Sequence, residues 1–175
     1  MTSLAECLQV LNTEDPSDLI CAQMLYYAIT RSDFECIEML VMRGVDVNAT
    51  YILASGNMLQ TACSVYASSF DSMLKKRQMI NFLLSNKADI ESRDDHGFTP
   101  LMRCVSSLNH PCIELLLEKK ADTNARSIAG RDVFSLIDGY NPTDGEVRRC
   151  RKLLQDAVNK RNRPRPTVKR VKKRR

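Results

Sequence analysis

"HGFTPLMRCVSSLNHPCIELLLEKKADTNA" occupies residues 96–125, and its second half is spelt twice more upstream, as "CIEMLVMRGVDVNA" at 36–49 and "MINFLLSNKADI" at 79–90. Aligning "VDVN" (45–48), "ADIE" (88–91) and "ADTN" (121–124) puts Asp46, Asp89 and Asp122 in register, 43 and 33 residues apart, and Leu40, Leu83 and Leu116 keep the same separations. A second anchor, apolar-x-x-small, recurs as "LYYA" (25–28), "LQTA" (59–62), "LMRC" (101–104) and, more weakly, "VFSL" (133–136), at spacings of 34, 42 and 32. Four units therefore share a period near 33, and repetition at that length marks a stacked array. One unit is longer: Ala28 to Ile37 and Cys104 to Ile113 each span nine positions, whereas Ala62 to Ile80 spans eighteen.

Within a unit the pattern predicts two short antiparallel helices. Thr99 can cap a helix that starts at Pro100, where the missing amide proton costs nothing because the first helical amides have no partner. Leu101, Cys104 and Val105 then follow at i, i+3, i+4, one apolar stripe, and after a turn around Asn109 the positions Ile113, Leu116 and Leu117 repeat that spacing. Neither helix is long enough to be stable alone, so each must bury its stripe against its partner and the next unit.

The string "DDHGFTPLMRC…NHPCIELLLEKKADTNA" resembles an ankyrin repeat, matching at Asp94, Gly97, Thr99, Pro100, Leu101, Ile113, Leu116, Leu117, Ala121, Asp122 and Asn124. It departs at Met102, where the family usually has His, and at Lys120, where Gly is usual. In ankyrin repeats that imidazole helps tie adjacent hairpin turns together, so its absence from every visible unit implies weaker ties here. The resemblance covers about 18–157 and implies an all-α repeat solenoid of about four helix-turn-helix units, near 18–49, 50–91, 92–125 and 126–157. The last unit, rich in Arg, has the polar character expected of a cap. Before the array, "SLAECLQVL" begins with a capping box, Ser3 and Glu6, and predicts an N-terminal capping helix within 1–17 that lays Leu4, Leu8 and Leu11 over the first unit.

Two stretches lie outside the repeat pattern. The insertion "SVYASSFDSMLKKRQ" (64–78) carries Tyr66, Phe70, Met73 and Leu74, and reads either as an extension of the unit's first helix or as a projecting loop of the kind that binds partners on repeat scaffolds. The stretch 158–175 ends the chain with a basic tail. Ten of the 26 Lys and Arg residues fall in 160–175 with no acid among them, so 1–159 holds 16 basic residues against all 21 acids. With Pro164, Pro166 and high like charge, the tail is expected to be disordered. Lys169, Arg170, Lys172, Lys173, Arg174 and Arg175 read as a nuclear-import-like signal. The alternatives are non-specific phosphate contacts to nucleic acid, made through the tail only, and docking on an acidic surface.

Composition excludes several classes. No run of 18 apolar residues exists, and "MTSLAECLQVLNTED" has acids where a signal peptide needs basic residues and then a long apolar run, which points to an intracellular protein, nuclear or cytoplasmic, without membrane contact. Seven cysteines, none spaced C-x-x-C, fit buried free thiols in a reducing compartment. With two histidines, a metal site is not expected, and Cys112 two residues from His110 implies no nucleophile-base pair. Glu35 and Glu38 read as a solvated helix face. Six glycines form no phosphate-cradling loop, so neither a cofactor, a small-molecule substrate nor catalysis is expected.

Function then falls to surface side chains that stacking does not need. The architecture places Tyr27, Gln60 and Arg103 on the inner helices, Tyr51, Ile52, Arg93, Asp95, His96, Arg126, Ile128 and Arg131 near the turns, and Tyr66 and Phe70 in the insertion. Tyr and Arg are enriched at binding hot spots. Together with the resemblance, this implies an adaptor or regulatory subunit whose partner is a protein, such as a serine/threonine kinase, a cell-cycle or DNA-replication regulator, or a transcription factor that it masks.

Overall fold

In the computed structural model, residues 18–51, 56–65 and 69–162 are described. They form eight helices: α1 (Asp18–Arg31), α2 (Phe34–Met42), α3 (Met58–Ser64), α4 (Phe70–Ser85), α5 (Pro100–Ser106), α6 (His110–Glu118), α7 (Val133–Ile137) and α8 (Gly145–Asn162). The expected N-terminal capping helix and most of the basic tail lie outside the described residues.

The helices pair as α1/α2, α3/α4, α5/α6 and α7/α8, and the pairs stack into an all-α repeat solenoid. An inner row runs α1–α3–α5–α7, and in the outer row α4, α6 and α8 pack in succession. Between pairs lie hairpin loops; the first includes a single antiparallel bridge between Thr50 and Asn57.

Local chemistry sets the helix starts. Asp33, Asn57, Ser69, Thr99, Asn109 and Asp132 each accept a backbone N–H three residues on, satisfying a donor that the first turn leaves orphaned. Thr99 and Pro100 open α5 as the sequence predicts. The apolar stripes meet in one core: Leu25, Ile37, Leu40, Leu59, Ile80, Leu83, Leu101, Ile113 and Leu116 are fully buried. Each such side chain removed from water contributes roughly 2 kcal/mol, so stacking, rather than helix propensity, holds these short elements.

The cysteines belong to this core. Cys36, Cys63, Cys104, Cys112 and Cys150 are buried, and none of them forms a disulfide among the described residues. A hydrogen bond to Cys104, followed by burial, raises the pKa of Cys112, and burial pushes that of Cys150 up to about 12. Thiols so far from ionising are poor nucleophiles.

The insertion extends neither the first helix of its unit nor a loop alone. From Phe70 onward it lengthens the second helix, with Ser69 and Ser72 forming a reciprocal capping box. The physical reason is Lys76. Its side chain is buried, and Nζ donates to the Cys63 and Val65 carbonyls at 2.7 Å each, satisfying acceptors at the C-terminal end of α3, where a cation is favoured. One turn face away, Arg77 Nη1 donates to the Pro111 carbonyl at 2.8 Å, and its guanidinium pairs with Glu114 and Glu118 of α6.

Successive hairpins are tied by one device used twice. Asn48 Oδ1 accepts the Asp89 N–H at 2.8 Å while its Nδ2 donates to the Lys87 carbonyl, and in the next step Glu91 Oε1 accepts the Asp122 N–H at 2.7 Å. Asn48 and Glu91 hold equivalent places in the repeat. At the last step the order reverses: Arg161 of α8 donates to the Lys120 and Ala121 carbonyls at 2.6 Å each, and α8 continues to Asn162, past residue 158 where the tail was expected to begin. The buried His110 adds a tie between the third and fourth units, with both ring nitrogens 2.9 Å from oxygens of Glu146.

Candidate functional site

The candidate residues separate into those that build the stack and those that it presents. Gln60 belongs to the first group, contrary to expectation. It is fully buried, and its Nε2 donates to the Ser92 carbonyl at 2.7 Å and the Phe98 carbonyl at 2.8 Å. The error is one of register: in "LYYA", "LQTA" and "LMRC" the second letter faces the stack and the third does not, so Gln60 is equivalent to Met102, and the residue equivalent to Tyr27 and Arg103 is Thr61. Gln60 thus occupies the usual histidine position and makes the inter-hairpin tie that the missing imidazole seemed to remove. Met102, at the same place one unit later, is fully buried.

Tyr51 is a second correction. Instead of an exposed turn residue it is only 8% exposed, because it closes a cluster with two tyrosines of α1. Ring centroids are 5.1 Å apart for Tyr26 and Tyr51, 5.5 Å for Tyr26 and Tyr27, and 6.2 Å for Tyr27 and Tyr51. Loss of solvation, then a hydrogen bond with the Tyr27 hydroxyl, raises the Tyr51 pKa. Tyr26 and Tyr27 remain half-buried, so the cluster presents aromatic surface at the N-terminal end of the inner row.

Further along, the hairpin tips carry arginines. Arg93 Nη1 donates to Gly97 O at 3.1 Å and, across to the next hairpin, to Arg126 O at 2.6 Å; Arg126 Nη1 donates to Gly130 O at 2.7 Å and Nη2 lies 3.3 Å from Asp132. These two exposed side chains, 33 positions apart, make the same contact to their own tips. The tips touch: Ile128 N donates to His96 O at 3.0 Å, and Gly97, at φ +72°, approaches so closely that a Cβ would sit 2.8 Å from Ile128 N. Glycine is required there on both counts.

Below the tips, Arg103 of α5 donates through Nε to Asp94 Oδ2 at 2.6 Å, and its Nη2 contacts the same oxygen. The Asp94 carboxylate is fully buried and also accepts the His96 and Phe98 N–H groups. The Phe98 ring then carries two guanidinium groups, Arg103 at 5.0 Å and Arg131 at 5.9 Å from its centroid. His96 lies edge-on to the same ring at 6.4 Å, Asp95 is exposed, and Ile128 is 79% exposed.

The structure therefore brings Arg93, His96, Arg103, Arg126, Ile128 and Arg131 onto one face with Phe98, and sets Tyr27 and Tyr51 in a separate aromatic cluster. Ile52, Tyr66 and the import-like residues Lys169, Arg170, Lys172, Lys173, Arg174 and Arg175 lie outside the described residues, and Phe70 is the first residue of α4. Sequence reading missed Tyr26, Phe98 and Lys76. The aromatic pair at 26–27 was visible in the sequence, whereas the buried role of Lys76 was not, since nothing local to a lysine says which carbonyls it will reach. Among the described residues there is no group of three or more His, Cys, Asp or Glu able to hold a metal, and no helix long and apolar enough to cross a membrane.

Comparison with known proteins agrees with this geometry. Residues 25–127 match the family model of ankyrin repeats, in three copies. The human ankyrin repeat and SOCS box protein 6 is 31% identical over 133 residues, covering 73% of this chain and 29% of that protein; its Pongo abelii counterpart is 30% identical with the same coverage. The chain thus spans under a third of the length of these relatives.

Proposed function

The chain belongs to the ankyrin repeat family, and on that premise we propose that it is a non-enzymatic adaptor or regulatory subunit that binds a protein partner and controls that partner's activity. The observation that carries this reading is the division of labour among its side chains. Gln60, Asn48, Glu91 and Lys76 hold the stack together through buried or backbone-directed contacts. Meanwhile Tyr27, Arg126 and Arg131, of types that dominate binding energy at interfaces, remain presented on the inner-row and hairpin face beside the exposed Ile128, and Arg93, which also bridges two hairpins, keeps unused donors there.

The partner class we infer is a protein kinase or a regulator of the cell cycle or DNA replication. In size and layout the chain resembles plutonium, a small ankyrin protein that activates a serine/threonine kinase in early embryonic cycles. The basic tail supports a nuclear location for such a complex. The same tail supports a second reading, a nucleic-acid-associated protein held by phosphate contacts, because the eight positive charges after Asn162 come without aromatic residues to read bases.

A pull-down from native extract at moderate salt tests both. The full chain is compared with one carrying Tyr27→Ala and Arg131→Gln and with one in which the six basic residues between 169 and 175 are Gln. A stoichiometric protein that survives tail neutralisation and is lost with the surface variant supports the adaptor, and the activity of that protein with and without the chain gives the sign of the regulation. Capture of nucleic acid alone, lost on tail neutralisation, would overturn it.

A further inference from the structure

We infer that the face formed by the second and third hairpins takes an acidic linear segment of the partner, with Arg93 and Arg131 as its anchoring cations. This deepens the adaptor reading and rests on it. Part of the charge on this face is already answered. Arg103 is neutralised by the buried carboxylate of Asp94. Arg126 is paired with Asp132, and Asp95 has an interaction of its own. Arg93, in contrast, is held among the described residues by backbone carbonyls alone, Gly97 O and Arg126 O. Arg131 lies over the Phe98 ring, and its guanidinium makes no hydrogen bond or ion pair among the described residues. Both are exposed.

Among the described residues, two guanidinium groups are thus oriented without a carboxylate. A carbonyl or a ring orients a guanidinium but does not cancel its charge, and each group keeps unused N–H donors in a planar fork that suits a carboxylate. The ordering cost of two long side chains is met before any ligand arrives, which raises the share of interaction energy that appears as affinity. The surroundings add direction. Arg131 lies over the Phe98 ring beside the already paired Arg103, and Ile128, 79% exposed at the adjacent tip, offers an apolar contact on the same hairpin. An extended peptide with Glu or Asp residues and a neighbouring aliphatic side chain matches this set in charge and in kind.

The test is fluorescence anisotropy on the full chain with a short labelled Glu-rich peptide, its Gln counterpart, and a labelled single-stranded oligonucleotide, at low and at physiological salt. The Glu peptide is expected to bind, the Gln peptide not, and the affinity to fall with salt as an exposed charge contact requires. Arg131→Gln and Arg93→Gln should each weaken binding roughly tenfold, the scale of one charge-assisted hydrogen bond. Neutralising the basic residues at 169–175 should leave the effect of these variants in place. Arg93→Gln also removes backbone contacts, so thermal melting accompanies each variant. If it unfolds, Arg131→Gln, which touches only a ring, decides.

Affinity that follows the tail charges and ignores Arg131 would overturn the inference, as would an oligonucleotide binding more tightly than the Glu peptide with the same loss in Arg131→Gln. Absence of peptide binding, with a partner still retained in the pull-down, sinks the acidic preference and leaves the adaptor reading intact. Loss of both sinks both.

Discussion

The second and third units solve the same packing problem with different chemistry. In the third, Thr99 and Pro100 start a seven-residue inner helix, a turn at Asn109 leads directly into α6, and the residue facing the next unit is the apolar Met102. In the second, Asn57 replaces the Thr-Pro start, α4 runs for 16 residues, and two long polar side chains are buried: Gln60, at the place of Met102, reaching two carbonyls of the next hairpin, and Lys76 reaching the Cys63 and Val65 carbonyls at the end of its own inner helix. Where the repeat pattern is kept, the inner-helix contact to the next unit is apolar, and a buried polar tie, His110 to Glu146, comes from the outer helix instead. Where it is worn, long polar side chains carry the connection across the gap. A buried polar tie of this kind is more sensitive than an apolar one, because removing the donor leaves acceptors unsatisfied.

Lys76→Met is the hardest blow to that distinction. It keeps the aliphatic length but removes a cation from two carbonyls at the end of α3. We expect a loss of about 3 kcal/mol, the sum of two hydrogen bonds to a charged group less the desolvation that the lysine no longer suffers. Urea unfolding measures the total. Hydrogen exchange should place the loosening in α3 and α4 first, and uniform loosening along the stack would show that Lys76 does not act as a local clamp.

Next in size, Gln60→Leu should cost about 2 kcal/mol by orphaning the Ser92 carbonyl and taking one of two donors from the Phe98 carbonyl, which keeps the Asp94 N–H. One feature tempers it: Gln60 Oε1 has no hydrogen-bond partner among the described residues, a cost that leucine would remove. Gln60→His should be better tolerated than Gln60→Leu, since an imidazole keeps a donor in the place where the family uses one. Met102→Ala, with no polar tie to break, should instead cost about 3 kcal/mol through its cavity and leave the hairpin amides as protected as before. If Gln60→Leu leaves those amides equally protected, the amide is not the tie.

These contrasts mark what the sequence could reveal. The third unit was legible down to its cap because its signals are local: Thr99-Pro100 and the Leu101, Cys104, Val105 stripe each act within a few residues. The repeat register also gave the face that carries Arg93, Arg126 and Ile128, since side chains 33 apart occupy equivalent hairpin places. Gln60 was misread because a polar letter in a helix looks like surface, when here its partners are 32 and 38 residues ahead. Tyr51 failed for a similar reason, its burial being set by Tyr26 and Tyr27 of another helix. The insertion's role depended on where one lysine's amine ends up, which is a tertiary fact.

The third and fourth units sharpen the comparison through acid. Thr99 and Asp132 hold the same cap position, one neutral and one ionisable. The backbone N–H of Ser135, then its hydroxyl, hold the Asp132 carboxyl below its ordinary value of 3.8. A group whose folded pKa is depressed contributes stability above its unfolded value and loses it as pH falls through the folded value. Protection of α7 amides should therefore fade below pH 3.8 while those of α5 hold, and Asp132→Asn, which still caps, should shrink the difference. Asp132→Ala should cost about 1 kcal/mol at neutral pH.

The smallest effect concerns the turn that ends each outer helix. Gly44, Lys87 and Lys120 occupy equivalent places with φ of 90°, 70° and 70°, a left-handed backbone that favours glycine. Lys87→Gly and Lys120→Gly should each raise stability by about 0.5–1 kcal/mol, the relief of Cβ strain less the added freedom of glycine in the unfolded chain. The Lys87 carbonyl accepts from Asn48 and the Lys120 carbonyl from Arg161, so each gain also requires that its contact survive the substitution. Equal gains at 87 and 120 would mean that the second unit differs from the third only in how its inner and outer helices are joined. A distinctly larger gain at 87 would place residual strain of the lengthened α4 in the hairpin that follows it, and the polar ties of the second unit would then be incomplete compensation for its insertion.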